Sequence, residues 1–379
     1  MSTGNARGVL DALYAAALAA CDPEAAVAAA MSSRRVRSAV TRARRLGLFA
    51  LGKAAAGMAR GAAVREDESL VILPRGEPGN AGAGRRVLYA AHPEPDRTSV
   101  AAAREAVRFF RRFGLQDVIL CLLSGGASSL LCLPRPGFTL SEKRRRVARL
   151  AASGASIGAL NRLRTSLSAV KGGRLGRQTR ARLVTLVLSD VAGDAPSLVG
   201  SGPTIRGRRS DVVAVVGRNR TGLLAARREA ERLGLRVRLL RGELAGEARD
   251  AGTMLGAAAA RMPRGSVLVA GGEPTVVLGK SAGRGGRSLE VALAAAVVLE
   301  GTTGIVLLAA SSDGRDGSSD AAGALVDGQT IARARRRGLD PEAAFERHAT
   351  EDFFRRAGGL VVTGPTGTNV RDWVFACRP

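Results

Sequence analysis

At 379 residues, 46% of them hydrophobic, the chain is too long for one ordinary core and too apolar for disorder, so two domains of comparable size are expected. Its 58 lysines and arginines against 33 aspartates and glutamates give a formal net charge of +25. That excess is spread over predicted helices (34–45, 104–112 and 333–337), and with only 3% aromatic residues too few rings remain for base stacking; no nucleic-acid partner is expected.

Residues 9–30 read as an alanine-rich helix, restarted where Asp22 caps and Pro23 opens a second helix. Leu18-Ala-Ala-Cys21 imitates a lipoprotein cleavage box, but the segment before it carries Asp11 and only one early arginine, Arg7, so export is not expected. No run approaches a membrane span, and Cys21, Cys121, Cys132 and Cys377 lack metal or redox spacing. A cytoplasmic protein with buried thiols follows as the expectation.

Leu46–Leu51 reads as a strand that passes through Gly52-Lys53 into a helix, placing Lys53 over the end of a parallel strand, where open α/β sheets bind ligands. Strands are predicted at 69–73 and 86–90. The second leads to His92 beside the prolines Pro93 and Pro95, a histidine suited to orienting a substrate or to a structural hydrogen bond. Val118–Leu123 is the clearest strand, and it delivers Ser124, Gly125, Gly126, Ala127 and Ser128, a nest of amides and hydroxyls suited to phosphate oxygens. Neither a Walker loop nor a G-x-G-x-x-G fingerprint occurs.

Thr139 and Glu142 form a capping-box pattern before the next helix. Asn161, Arg164, Ser168 and Lys171, spaced three, four and three apart, fall on one face of a predicted helix, directed to solvent or to an anion. The strand 183–188 ends at Ser189-Asp190, with Asp194 close behind; carboxylates past a strand end hold Mg²⁺ or take a proton from a hydroxyl. A strand at 235–240 and a helix from Gly242 follow, with a domain boundary near Met262-Pro263.

From Ser266 an apolar strand stops at Gly271-Gly272-Glu273, a second run covers Val276–Leu278, and a buried helix begins after Arg284, Gly285, Gly286 and Arg287. Open amides at a helix start, glycines and two arginines describe a phosphate site or a glycine hairpin with solvated arginines. A strand at 305–310 leads to Asp313, Asp316 and Asp320, whose spacing is not that of a calcium loop and which also suits an acidic helix start. Leu360–Val362, the turn from Gly364 to Asn369 and a last strand, 374–377, complete the chain. Of only four lysines, Lys53, Lys171 and Lys280 sit beside glycines, as phosphate contacts do, and Lys143 does not.

Taken together, GKAAAGMA, AHPEPD, LLSGGASSLL, LSAVKGGRL, LSDVAGDAPSLVGSGPT, AGGEPTVVL, GRGGR, SSDGRDGSSDAAGAL and VTGPTGTNVRD, in this order, resemble the glycerate 2-kinase family, whose C-terminal half is the MOFRL domain and some of whose members are labelled hydroxypyruvate reductases. The resemblance implies an ATP- and Mg²⁺-dependent kinase acting on the 2-hydroxyl of D-glycerate. It implies a Rossmann-like doubly wound domain (1–261), a MOFRL-type α/β domain (262–379), a site in the cleft between them, and a monomer or homodimer. Lys53 and Arg287 match the family's catalytic cations. Asp190 is the preferred base or metal ligand, with Asp194, Asp313 and Asp316 as competitors for metal. Ser124, Gly125, Gly126, Ala127, Ser128, Lys171, Gly271, Gly272, Glu273 and Asn369 would hold nucleotide, and Arg164, Arg284 and His92 the substrate.

The chain departs from the family at Thr165-Ser166, where Lys-His is usual, at Ser288-Leu289, where Asn-Gln is usual, and at Ala127, where a third glycine is usual. Those departures keep open a different hydroxy acid or impaired catalysis. A nicotinamide-dependent hydroxypyruvate reductase is the remaining alternative, and the missing dinucleotide fingerprint speaks against it.

Overall fold

The computed structural model describes residues 3–154, 157–278 and 282–379, which divide into two compact units, residues 22–218 and residues 1–21 with 219–379. The first helix, α1 (Thr3–Ala20), belongs to the second unit. Asp22 accepts a hydrogen bond from the Ala25 amide at 2.7 Å and so caps α2 (Pro23–Ser32), as its sequence predicts.

The 22–218 unit continues through α3 (Arg34–Thr41), β1 (Leu46–Leu51), α4 (Ala55–Ala62), β2 (Glu68–Pro74), β3 (Val87–Ala90), α5 (Arg97–Arg111), β4 (Val118–Leu123), α6 (Ala127–Leu130), α7 (Leu140–Ala152), α8 (Ile157–Ser166), β5 (Arg182–Leu188) and β6 (Val212–Gly217). Its six strands are all parallel, in the order β3-β2-β1-β4-β5-β6, the doubly wound order of dinucleotide-binding folds. β1 and β4 are buried at every residue, which is why their sequences are unbroken apolar runs rather than alternating ones. Much of the chain's small aromatic content is gathered on one face. There Phe49 meets Phe110 edge-on at 5.1 Å, and Phe113 lies so close to β1 that a Cβ on Gly47 would come within 2.6 Å of its ring.

The second unit adds α9 (Asn219–Arg232), β7 (Arg236–Leu239), α10 (Ala248–Ala260), β8 (Ser266–Gly272), α11 (Arg287–Leu299), β9 (Val306–Ser311), β10 (Gly323–Asp327), α12 (Thr330–Arg336), α13 (Pro341–Glu346), α14 (Thr350–Ala357), β11 (Leu360–Val361) and β12 (Asp372–Arg378). Its sheet is mixed, ordered β11-β10-β9-β12-β8-β7, and only β7 and β8 run parallel. α11 is buried over most of its circumference, as its sequence predicts, and glycines on α10 let the two helices touch: a Cβ on Gly252 would stand 2.4 Å from the Val291 carbonyl oxygen. α1 packs on α9 and β12, where Tyr14 meets Trp373 edge-on at 6.0 Å.

Several expectations shift. The break between units falls at 218/219 rather than 261/262, because β7 pairs with β8 and α10 lies along α11. The helix expected from Gly242 begins only at Ala248; Glu243 before it forms a two-pronged ion pair with Arg371 at 2.8 and 2.9 Å. Val276–Leu278 is not a strand, and the aspartate loop after β9 leads into β10 rather than into a helix.

Candidate active site

In the 22–218 unit the strand order reverses between β1 and β4, and the turns after these two strands interlock. Gly52 has φ +127°, and a Cβ there would stand 2.2 Å from Ser124 Oγ, so only glycine fits. Ser124 Oγ accepts from the Ala54 amide at 3.0 Å, and the Lys53 amide donates to the Gly125 carbonyl at 2.9 Å. The Ser124 hydroxyl and the Gly125 carbonyl are therefore used to join the two turns. Gly126, at φ +82°, lies between the His92 ring and the Lys53 side chain; a Cβ there would be 3.2 Å from each. Lys53 and His92, 39 residues apart in sequence, thus share one location at the switch point. Ala127 is fully buried, its methyl filling the space above Gly200.

Beside this point a cavity of about 790 Å³ is lined by Ser128, Cys132, Lys143, Arg164 and Lys171, among others. The capping box at Thr139 forms in full and starts α7 so that Lys143, in its first turn, is 4% exposed. α8 stops at Ser166: Ser168 bridges to Pro134, and Gly172 and Gly173 take left-handed φ of +61° and +74°. The four-residue helical stripe expected from Asn161 to Lys171 is therefore broken at Leu167-Ser168, where the chain leaves α8 to pair with Pro134, ahead of the left-handed glycines. Lys171 reaches the cavity from that turn rather than from α8, and Arg164 reaches it from α8.

Lys171 is 2% exposed, and its ammonium donates to Ser128 Oγ. Burial first, then repulsion from Lys143 and Arg164, brings its pKa down to about 7, against a smaller opposing effect of Cys132. Lys143 is lowered for the same leading reason, burial. Past the end of β5, Asp194 sits at φ +53° with Oδ2 3.6 Å from Arg218, while its Oδ1 is buried with no hydrogen-bond donor among the described residues. Asp190, half-buried, follows β5 by two residues.

In the second unit the start of α11 is already filled. Asp316 is 1% exposed, and its two oxygens accept from the Ser288 and Leu289 amides at 3.0 and 2.7 Å. The phosphate site expected at this helix start is thus occupied by a carboxylate of the same chain, and Asp316, expected as a metal ligand, is a helix cap. Gly286 allows this approach, since a Cβ there would lie 2.5 Å from Asp316, while Gly285 makes room for Thr350, whose Oγ1 a Cβ would meet at 2.3 Å. Arg287 donates to Asp372 and, at 2.8 Å, to Glu273. Burial works against the Arg287 cation, but Asp372 and Glu273 outweigh it and raise its pKa, so the charge is fixed.

Arg284 is held by Asp320 at 2.7 Å and Glu351 at 2.8 Å. Gly271 and Gly272, expected to cradle nucleotide, are where β8 is crossed at close range by Leu244 and Asn219; Cβ atoms there would fall within 2.4 Å of them. Asp313 accepts from Ser311 Oγ at 2.9 Å and from the Arg315 amide at 3.1 Å. The 364–369 turn, with Asn369 half-buried, packs on the same loop through Thr366 Oγ1, which donates to the Ser312 carbonyl at 2.5 Å. Lys280 lies outside the described residues.

This arrangement has relatives. Residues 9–228 match the family described as a domain of unknown function, DUF4147, and residues 266–372 match the MOFRL family. A glycerate 2-kinase of Pyrococcus horikoshii is 33% identical, over 87% of this chain and 86% of its own length. The chain belongs to the glycerate 2-kinase family that carries the MOFRL domain. A crystal structure of a glycerate kinase from Thermotoga maritima matches with a TM-score of 0.86 at 30% identity, covering 98% of this chain and 99% of that one. An Agrobacterium vitis protein provisionally named a hydroxypyruvate reductase is 39% identical, over 97% of this chain and 93% of its own.

Within this glycerate 2-kinase family member, sequence reasoning overlooked two charged groups. Lys143 lies four residues after a capping threonine, a position that faces inward only if the cap forms. Asp372 opens β12 as the buried partner of Arg287; an acidic residue beside a strand start is its only signal.

Proposed function

We propose that the chain transfers the γ-phosphoryl group of ATP to the 2-hydroxyl of D-glycerate, giving 2-phosphoglycerate and ADP. The observation that carries this reading is the pairing of Lys53 with the Ser124–Ser128 turn at the strand-order reversal, next to a cavity lined by Lys143, Arg164 and Lys171, in a chain of this family. The hydroxyl oxygen of the acid bonds to the γ-phosphorus as the bridge to the β-phosphate breaks, and the hydroxyl proton passes to a carboxylate, for which we assign Asp190. Lys53 neutralises charge on the phosphoryl group in transit. Arg287, held cationic and aimed by Asp372 and Glu273, takes the carboxylate of the acid, and Lys171 and Arg164 take further anionic oxygens.

Mg²⁺ fits the carboxylates after β5. Asp194 Oδ1 is a buried oxygen without a donor among the described residues, and this ion takes one or two carboxylates beside phosphate oxygens and water rather than a full protein cage. When bound it offsets phosphate charge. Among the described residues no three His, Cys, Asp or Glu side chains gather as a metal cage, and no single helix is long and apolar enough to cross a membrane. None of the four buried cysteines is in a disulfide, which supports a reducing cytoplasmic setting.

ADP release with Mg·ATP and D-glycerate, with the product read by phosphorus NMR, tests the reading. Acid-dependent release giving 2-phosphoglycerate, lost in Lys53→Ala, is expected; release unaffected by D-glycerate would overturn it. The relative provisionally named a reductase, together with the dinucleotide-type strand order, keeps one second reading, hydroxypyruvate reduction. Here the β1–α4 turn carries Lys53 where a glycine-rich pyrophosphate loop would lie, and NADPH oxidation measured by absorbance is expected to be absent.

A further inference from the structure

We propose that Lys143 is a binding residue of the cavity in the 22–218 unit: with Lys171 and Arg164 it forms a subsite for a small oxyanion, a carboxylate or a phosphate group. Lys143 is 4% exposed and lines the cavity, and among the described residues its Nζ meets no oxygen acceptor, only the Cys132 thiol. A thiol is a weak acceptor for a buried ammonium group, so the site is strongly unfavourable when empty, and a fold retains it where a ligand supplies the missing oxygen acceptor.

The surroundings point the same way. Lys171 and Arg164 face the same space, so three cations from three segments converge there. Among the described residues neither lysine is paired with a carboxylate. Glu94 in the lining is engaged by Arg144, Arg145 adds a further cation, and Cys132 and Ser128 are the other polar groups facing the two ammonium groups. Lys143 and Lys171 repel each other and Lys171 is lowered to about 7, so an oxyanion entering between them restores the proton that burial and repulsion remove. The subsite rests on the kinase reading only for which physiological anion it takes.

The test is calorimetric binding of D-glycerate, inorganic phosphate and ADP, each alone, to the full chain and to Lys143→Met and Lys143→Gln. It is run at pH 8 in two buffers of different ionisation heat. The wild type is expected to take up a proton on binding. Both variants are expected to bind at least one of the three anions about 10- to 100-fold more weakly, the range of a charge-assisted hydrogen bond. Loss confined to D-glycerate assigns the subsite to the carboxylate of the acid; loss confined to phosphate and ADP assigns it to a phosphate.

Lys143→Met is also expected to raise the midpoint of thermal unfolding of the ligand-free protein by about 2–4 °C, since it removes a buried charge that only a thiol faces. A purely structural lysine would give the opposite sign. Unchanged affinity for all three anions in both variants would overturn the proposal, as would wild-type protein that binds none of them. Wild-type protein that shows Lys143-dependent binding but releases no ADP with D-glycerate would refute the kinase reading and leave the subsite standing.

Discussion

Asp316→Ala removes the carboxylate that closes the start of α11, and the structure fixes how much should follow. Two amides, of Ser288 and Leu289, lose their acceptor in a site with no water access, since Asp316 is 1% exposed. Each orphaned buried donor costs about 1–3 kcal/mol, so a loss of roughly 3 kcal/mol is expected, or about 6–12 °C for a unit of this size.

The pH dependence sharpens the prediction. Burial, then the neighbouring Asp372, raises the Asp316 carboxyl from 3.8 to about 7, and this outweighs the two amides that favour its ionised form. Its folded pKa lies above its unfolded one. Between about pH 4 and 7 the folded state keeps a proton that the unfolded chain has lost, and stability falls as pH rises. A shift of this size corresponds to about 4 kcal/mol at most across that window. Alanine removes this contribution and leaves those of Asp372 and Glu290, whose carboxyls are also raised, so the deficit of the variant should be larger at pH 5 than at pH 8.

The single tryptophan, Trp373, is fully buried in β12, and its fluorescence reports unfolding of this unit alone. Because the variant opens the anion site that the sequence describes, phosphate should raise its midpoint and leave the wild type unmoved. Equal Trp373 midpoints for variant and wild type at pH 5 in phosphate-free buffer would refute the reasoning.

Three further outcomes are expected. Gly126→Ala forces a left-handed alanine and a methyl 3.2 Å from both the His92 ring and Lys53 Cγ; it should cost about 1–2 kcal/mol and lower kcat for D-glycerate at least about tenfold, whereas unchanged kcat would mean that Lys53 placement there is unimportant. Lys171 loses its positive charge as pH rises through about 7, so kcat/KM for D-glycerate should fall about tenfold per pH unit above that point; a flat profile from pH 6.5 to 9 would remove Lys171 from the binding step. Gly222→Ala places a methyl 2.3 Å from the Trp373 ring and should destabilise the second unit by about 1–3 kcal/mol in the Trp373 fluorescence assay, an unaltered midpoint showing that the ring can yield.

Much of the parallel unit was readable because fully buried strands appear as short unbroken apolar runs between glycines. Val118–Leu123 has the same ends in sequence and structure, and the strand–Gly-Lys–helix reading of Lys53 held. Contacts across long stretches of chain were not readable. The amide-rich start of α11 was recognised, but nothing local says that Asp316, 28 residues on, would fill it. Glu243 was taken into a helix because its partner Arg371 lies 128 residues away. The spacing of Lys171 allows a helical face, but α8 ends at Ser166 because Ser168 pairs with Pro134, a residue 34 positions earlier. The capping threonine four residues before it is the only local mark of Lys143, and its significance depends on a cavity assembled from five segments.

β12, made after everything else described here, lies in the interior of its sheet between β9 and β8, and the first helix, α1, rests against it. During synthesis Tyr14 therefore emerges some 359 residues before Trp373, a wait of roughly 20–70 s at ordinary elongation rates. The 22–218 unit has its last strand available long before, so folding on the ribosome should proceed from the middle of the chain outward. Ribosome-stalled chains ending before residue 372 should hold a finished parallel sheet and an unformed mixed one.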